Sequence, residues 1–70
     1  MKYAVVFEET PNNYAAYVPD LPGCVATGAT RDEVERRIGE AIAFHVEGLR
    51  AEGEPVPAPS SWTALVEASV

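Results

Sequence analysis

Two side chains in this sequence could serve as a nucleophile or a general base near neutral pH, Cys24 and His45, and each is the only residue of its type. A cysteine nucleophile needs a histidine or cation beside it to hold the thiolate. Nothing around Cys24 is placed to supply one, so it reads as a small buried residue. His45 falls among apolar residues at helical spacing and reads as a packed, hydrogen-bonded core histidine; no second residue of the right type is fixed near it to make a base or ligand pair. One cysteine and one histidine leave no internal disulfide and no Cys/His metal cluster. A lone thiol fits a reducing cytoplasm. The remaining carriers of chemistry are carboxylates, 11 acidic against 5 basic residues for a net charge of −6.

That balance argues against nucleic acid as a partner, because a binder needs clustered cations to displace phosphate counterions. Lys2, Arg31, Arg36, Arg37 and Arg50 form no cluster. Acidity has two readings, solubility and complementarity to a basic protein, and taken alone it favours the first. The amino terminus MKYAVVFEET has too short an apolar run for a signal peptide, and no segment is long enough to span a membrane.

These residues are positioned by few elements. Residues 2–9 alternate, with Tyr3, Val5 and Phe7 facing one way and Ala4, Val6 and Glu8 the other, as a strand does. Thr10 to Asn13 is a turn cluster, and Tyr14 to Val18 resumes the alternation, so the two strands form an antiparallel hairpin. Residues 24–28 make a third strand. Thr30 and Glu33 stand in capping-box spacing, and Asp32 and Glu33 suit a positive helix end, so a helix runs from about Arg31 to Glu52 with Gly53 as its stop. Val34, Ile38, Ala41, Ile42, His45 and Leu49 share one face of it, and that stripe covers one face of the sheet. Glu54 to Ser61 places a proline at every second position from Pro55 to Pro59, which makes a stiff, extended spacer. The last segment, TALVEASV, alternates weakly and is expected to be a fourth strand beside the first, with a short helical turn as the other option.

The expectation is therefore a single α+β domain over residues 1–70, in the order β-β-β-α-β: a three-stranded antiparallel sheet with one long packed helix and a C-terminal strand. A chain of 70 residues buries only about 60% of its unfolded surface, so its own core is thin. The helix covers one sheet face, and Ala4, Val6, Ala15 and Tyr17 remain on the other. A homo-oligomer, a dimer or a tetramer, is the expected remedy.

The least ordinary stretch is Pro19-Asp20-Leu21-Pro22-Gly23, which joins two strands with residues that remove backbone donors. Pro19 pushes Val18 into extended conformation. Leu21-Pro22-Gly23-Cys24 has Pro and Gly at the central positions of a type II turn. Asp20 cannot make its usual turn to the amide two residues on, because that residue is Pro22, so its carboxylate caps Gly23 or Cys24 or faces outward. Leu21 is then a large apolar residue at a loop tip, with Tyr17 nearby. A rigid connection and a partner contact both account for this loop.

The run PDLPGCVATGATRDEVERRIGEAIAFHVEGL followed by GEPVPAPS resembles the HicB family of antitoxins, with its Pro-Asp-Leu-Pro-Gly-Cys loop, threonine-capped helix and Ile/Val-Pro-x-Pro-Ser close. The likeness extends from the first strand through Ser60. It implies a partial RNase H-like fold, homo-oligomers, and a toxin partner of the HicA type, a small basic mRNA-cleaving protein with a catalytic histidine. Many members carry an added C-terminal DNA-binding domain. This sequence shows none, so DNA binding by this chain alone is not expected.

The functional expectation is an antitoxin of a type II toxin-antitoxin system that binds and occludes a HicA-like toxin in the cytoplasm, without a cofactor and without catalysis. Glu8, Glu9 and Asp20 are expected to supply charge to that contact, and Tyr17 and Leu21 apolar surface, because all lie near hairpin ends rather than under the helix. Two alternatives stand beside it. One is an orphan homo-oligomeric binding protein whose toxin has been lost. The other is a metal-dependent RNase H-like nuclease, which needs convergent carboxylates; Glu8, Glu9, Glu33, Glu40, Glu47 and Glu67 equally describe a solvated surface, and the aspartates Asp20 and Asp32 lie off the strands.

Overall fold

The computed structural model describes Met1–Ser69. Three short strands, β1 (Val6–Glu9), β2 (Tyr14–Tyr17) and β3 (Val25–Gly28), precede one helix, α1 (Arg31–Ala51). They form an antiparallel sheet in the order β1-β2-β3. The register places Phe7, Ala16 and Ala26 in one row and Val6, Tyr17 and Val25 in another. Side chains alternate between faces along each strand, so the first row faces α1 and the second faces away from it.

β1 is shorter at its start than its alternation predicts. Val6 pairs with Tyr17, so residues 4 and 5 would next meet Pro19 and Val18. Val18 bonds to the other neighbour, its amide continuing the β2–β3 ladder to the Cys24 carbonyl at 3.1 Å, and Pro19, next in line to bond toward β1, has no amide to give. The run before Val6 is not part of a strand, and Tyr3 and Val5 still pack against the core.

The chain enters α1 directly from β3. Thr30 Oγ1 accepts the Glu33 amide at 3.1 Å, and Glu33 Oε1 accepts the Ala29 amide at 2.8 Å, which closes the expected cap. The approach is tight: a Cβ on Gly28 would lie 2.7 Å from the Val34 amide nitrogen. Arg37 Nη1 donates to the Thr27 carbonyl at 3.1 Å and ties the second helical turn to β3. At the far end Gly53 donates to the Arg50 carbonyl at 3.1 Å and Glu54 to Leu49 at 2.9 Å, a Schellman close after Glu52.

The core is small: Ala16, Val18, Leu21, Cys24, Val34 and Ile38, with Ala26, Ala41, Ile42 and Val46 packed around it. α1 lies over β3 and β2 and leaves β1 uncovered. A helix of 21 residues is about 32 Å long, whereas a strand of 4 residues spans roughly 13 Å. Its C-terminal half therefore overhangs the sheet. Val34 and Ile38 are buried, whereas His45 and Leu49, expected in the core, are only half-buried on the overhang.

The fourth strand is not formed among the described residues: residues 54–69 contain no strand, and Trp62 to Ser69 lie exposed. The reason lies in what precedes it. The Tyr3 hydroxyl donates to the Pro57 carbonyl at 2.6 Å, and Ser60 and Ser61 are bound to Asp20. The proline-stiffened run is thus led to the β2–β3 loop instead of along the free edge of β1.

Candidate functional site

The β2–β3 loop resolves the puzzle of its two prolines. Val18 accepts the Leu21 amide at 3.1 Å and Leu21 accepts the Cys24 amide at 3.0 Å, so two β-turns run back to back. Pro19 and Pro22 occupy the second position of each, where the missing N–H is not needed and the fixed φ is preorganised. Gly23 takes the positive φ of 85° that the second turn requires. The bond from the Val18 amide to the Cys24 carbonyl closes the base. Leu21 sits at the junction of the turns and is driven inward; it is 0% exposed and is a core residue. The expectation of an apolar tip open to a partner is corrected by that burial.

Asp20 is also committed within the chain. Its Oδ2 accepts the Ser60 and Ser61 amides at 2.9 Å each, and its Oδ1 accepts their hydroxyls at 3.0 and 2.9 Å. Four donors from a segment 40 residues away occupy both carboxylate oxygens. The amide bonds, that from Ser61 foremost, hold its carboxyl at about pKa 2 against a usual value near 3.8. It neither caps Gly23 or Cys24 nor points free into solvent. The sequence did hold a signal for this pairing. With the local Asx turn blocked by Pro22, Asp20 needed distant donors, and a proline rod delivers two adjacent serines.

The other expected contact residues are placed apart. Glu9 pairs with Tyr14 at the β1–β2 end of the sheet, where Thr10 and Asn13 close the turn, the Thr10 amide donating to the Asn13 carbonyl at 2.9 Å. Tyr17 stands opposite Val6, roughly 10 Å along the strand, and Asp20 lies beyond it. Glu8 and Tyr17 share the face turned from the helix, while Glu9 faces the helix side. Of the five, Glu8 and Tyr17 share an exposed face of the sheet.

What the sheet does assemble is an apolar strip on its helix-free face. Val6, Tyr17 and Val25 lie side by side across the three strands; Tyr17 is 42% and Val25 64% exposed. The next row, Glu8, Ala15 and Thr27, puts a carboxylate at its margin. Val25 was not singled out from the sequence, although its alternation with Cys24 pointed it outward.

Cys24 is buried, and burial raises its thiol pKa, which disfavours the thiolate. Among the described residues no three His, Cys, Asp or Glu side chains converge to hold a metal ion. Among the same residues no helix is long and apolar enough to cross a membrane.

A small three-stranded antiparallel sheet backed by one helix, its inter-strand loop clamped to the chain after the helix, defines an α+β domain with one sheet face left open. Residues 3–69 match the family described as HicB_like antitoxin of bacterial toxin-antitoxin system, and the chain belongs to that family. It is similar to a solved chain of a "HicA3 and HicB3 toxin-antitoxin complex", 34% identical with a TM-score of 0.73, over 84% of this chain and 69% of that one. It is 39% identical over 57 residues to a 14.9 kDa protein from the rep-hol intergenic region of Haemophilus phage HP1. That match covers 81% of this chain but only 43% of the phage protein, so the chain spans less than half of that relative's length. A UPF0150 protein of Thermoplasma acidophilum is 35% identical over 69 residues, 97% of this chain and 100% of its own length. A UPF0150 protein of Synechocystis is 43% identical over 56 residues, 79% of this chain and 71% of its own.

Proposed function

We propose that this chain is an antitoxin that neutralises a HicA-type toxin by covering its active surface, with no catalysis of its own. The observation that carries the reading is the likeness, over most of the chain, to a protein solved in a HicA3 and HicB3 toxin-antitoxin complex. The physical character of the chain agrees with it. A net charge of −6 steers encounter with a basic protein and disfavours a phosphate backbone, so DNA is not a partner of this chain alone. The helix-free strip of Val6, Tyr17 and Val25 supplies apolar area, and Glu8 supplies charge at its margin. Persistence comes from the buried strip and association rate from the acidic end. Leu21 and Asp20 support the loop from within and do not touch the toxin. The remaining acidic residues act as a solvated surface.

The test is association with a purified HicA-type toxin, measured by stopped flow at low and high salt. Glu8→Lys with Glu9→Lys moves the net charge by four, from −6 to −2, and lowers the association rate on the order of tenfold at low salt, with the difference shrinking as salt rises. Val25→Lys instead raises the dissociation rate. An unchanged association rate for the double variant removes the acidic end of the sheet from the encounter, and unchanged dissociation for V25K removes the helix-free face from the contact.

A further inference from the structure

Among the described residues nothing is laid along the outer side of β1, an edge strand of the sheet. The Thr10 amide donates to the Asn13 carbonyl across the hairpin, and the Val18 amide donates away from β1, to Cys24. Bonding direction alternates along an antiparallel pair, so Val6 and Glu8 turn their backbone groups to β2, while Phe7 and Glu9 each leave an N–H and a C=O on the free side. No other backbone segment among the described residues bonds to them. An open edge of this kind is a template for a further strand, and proteins blunt it with proline, a bulge or a covering segment. β1 carries no proline, its register with β2 runs unbroken from Val6 to Glu9, and the chain after α1 is held at Asp20 instead.

What β1 does carry is charge, and charge selects the strand. With a second copy, the antiparallel register that uses both outward residues of each β1, Phe7 against Glu9, sets Glu8 directly opposite Glu8, and like charges so placed repel. A basic strand meets the reverse condition. Beside the same edge, where α1 leaves β1 uncovered, lies a pocket of about 270 Å³, below the range of about 300–1,000 Å³ of sites for a whole small ligand. Its size suits a single long side chain. Phe7, Tyr14 and Val34 give it apolar lining, and Glu8, Glu9 and Glu35 stand against Arg31 alone. Arg31 forms no ion pair with them among the described residues, and carboxylate stays in excess with Arg31 counted. The start of α1 is not left for an anion, because Thr30 and Glu33 already cap it. Aromatic rings beside carboxylates accept a lysine or an arginine, whose stem packs on the rings while the cation meets their faces and the carboxylates.

We propose that the outer edge of β1 takes an extended strand of the basic toxin, bonded main chain to main chain at Phe7 and Glu9, with one lysine or arginine of that strand seated in the pocket beside Glu9 and Glu35. The proposal rests on the antitoxin reading and names how that contact is made. The alternation of an added strand serves both sides of the sheet. A residue opposite Phe7 or Glu9 turns its side chain to the helix side, into the pocket. Its neighbours turn theirs to the other side, next to Val6 and Glu8, which widens the strip of Val6, Tyr17 and Val25 by one strand.

The experiment uses the full chain, isotope-labelled for NMR, with and without a purified HicA-type toxin. In the free chain the Phe7 and Glu9 amides exchange with solvent as open amides do; in the complex their exchange slows about tenfold or more. Affinity is measured for three variants whose far-UV circular dichroism matches the parent. Glu35→Lys, at an exposed helical position away from the strip, weakens binding on the order of tenfold. Glu9→Gln and Glu9→Pro both remove the charge, but only proline removes the outward donor, at an edge position that leaves the β1–β2 ladder intact. Glu9→Pro therefore binds about fivefold or more weakly than Glu9→Gln. A complex in which the Phe7 and Glu9 amides exchange as in the free chain, or one indifferent both to E35K and to proline in place of glutamine, overturns the edge docking and leaves the antitoxin reading standing. Protection of the same amides that grows with chain concentration in the absence of toxin assigns the edge to a second copy and overturns it as well. Absence of any complex with the toxin overturns the antitoxin reading and this proposal with it.

Discussion

Leu21→Ala separates two accounts of the double-turn loop. If Leu21 were a surface anchor, the variant would fold as well as the parent and bind its partner less tightly. The structure places it 0% exposed between Val18, Cys24 and the helix residues Val34 and Ile38. Truncation removes three carbon atoms, about 2.4 kcal/mol at 0.8 kcal/mol per buried group, and the cavity left behind brings the cost to about 3 kcal/mol within the usual 2–5 range. A single core in a chain of 70 residues supplies only about 3–5 kcal/mol, so the loss consumes most of the stability. Urea denaturation followed by far-UV circular dichroism, without toxin, is the assay. With a slope of about 1–1.5 kcal/mol per molar for so small a chain, the midpoint falls by 2 M or more, on the order of half the stability range or greater. Leu21→Met, which conserves volume, costs under about 1.5 kcal/mol and keeps a measurable transition. A midpoint for L21A within experimental error of the parent, with toxin affinity reduced, would refute the burial argument and restore the surface reading.

Three further outcomes follow from named contacts. The Asp20 carboxyl has a folded pKa of about 2, below its usual value near 3.8, so the clasp's contribution is complete above that usual value and is lost as pH falls through about 2; NMR shifts of the Ser60 and Ser61 amides should titrate with that midpoint, and a midpoint near 3.8 would contradict the four-bond geometry. Thr30→Ala removes the acceptor of the Glu33 amide and lowers stability by about 1 kcal/mol, seen as a fall in thermal midpoint that Thr30→Ser largely restores. Gly28→Ala sets a methyl 2.7 Å from the Val34 amide nitrogen, forcing β3 and α1 apart at a cost of about 1–3 kcal/mol; a chemical denaturation curve unchanged from the parent would show that the crossing has slack.

Much of the fold was legible in the sequence because its signals are local. Alternation through Phe7 and Tyr14 to Tyr17 marks strands, Thr30 and Glu33 mark the helix start three residues apart, and Gly53 marks its close; each is a contact between near neighbours in the chain. The Leu-Pro-Gly-Cys turn was legible for the same reason, since φ preference is a property of the residue itself. Only the tertiary structure decided the rest. Asp20 meets Ser60 and Ser61 across 40 residues, and that clasp diverts the chain from the β1 edge where alternation alone would set a fourth strand. Leu21 turns inward because two turns in succession reverse the chain twice, which neither turn specifies singly. Glu8 and Tyr17 share the face turned from the helix while Glu9, next to Glu8 in the chain, faces the other way, because strand register and side-chain alternation, not sequence distance, determine which residues share a surface.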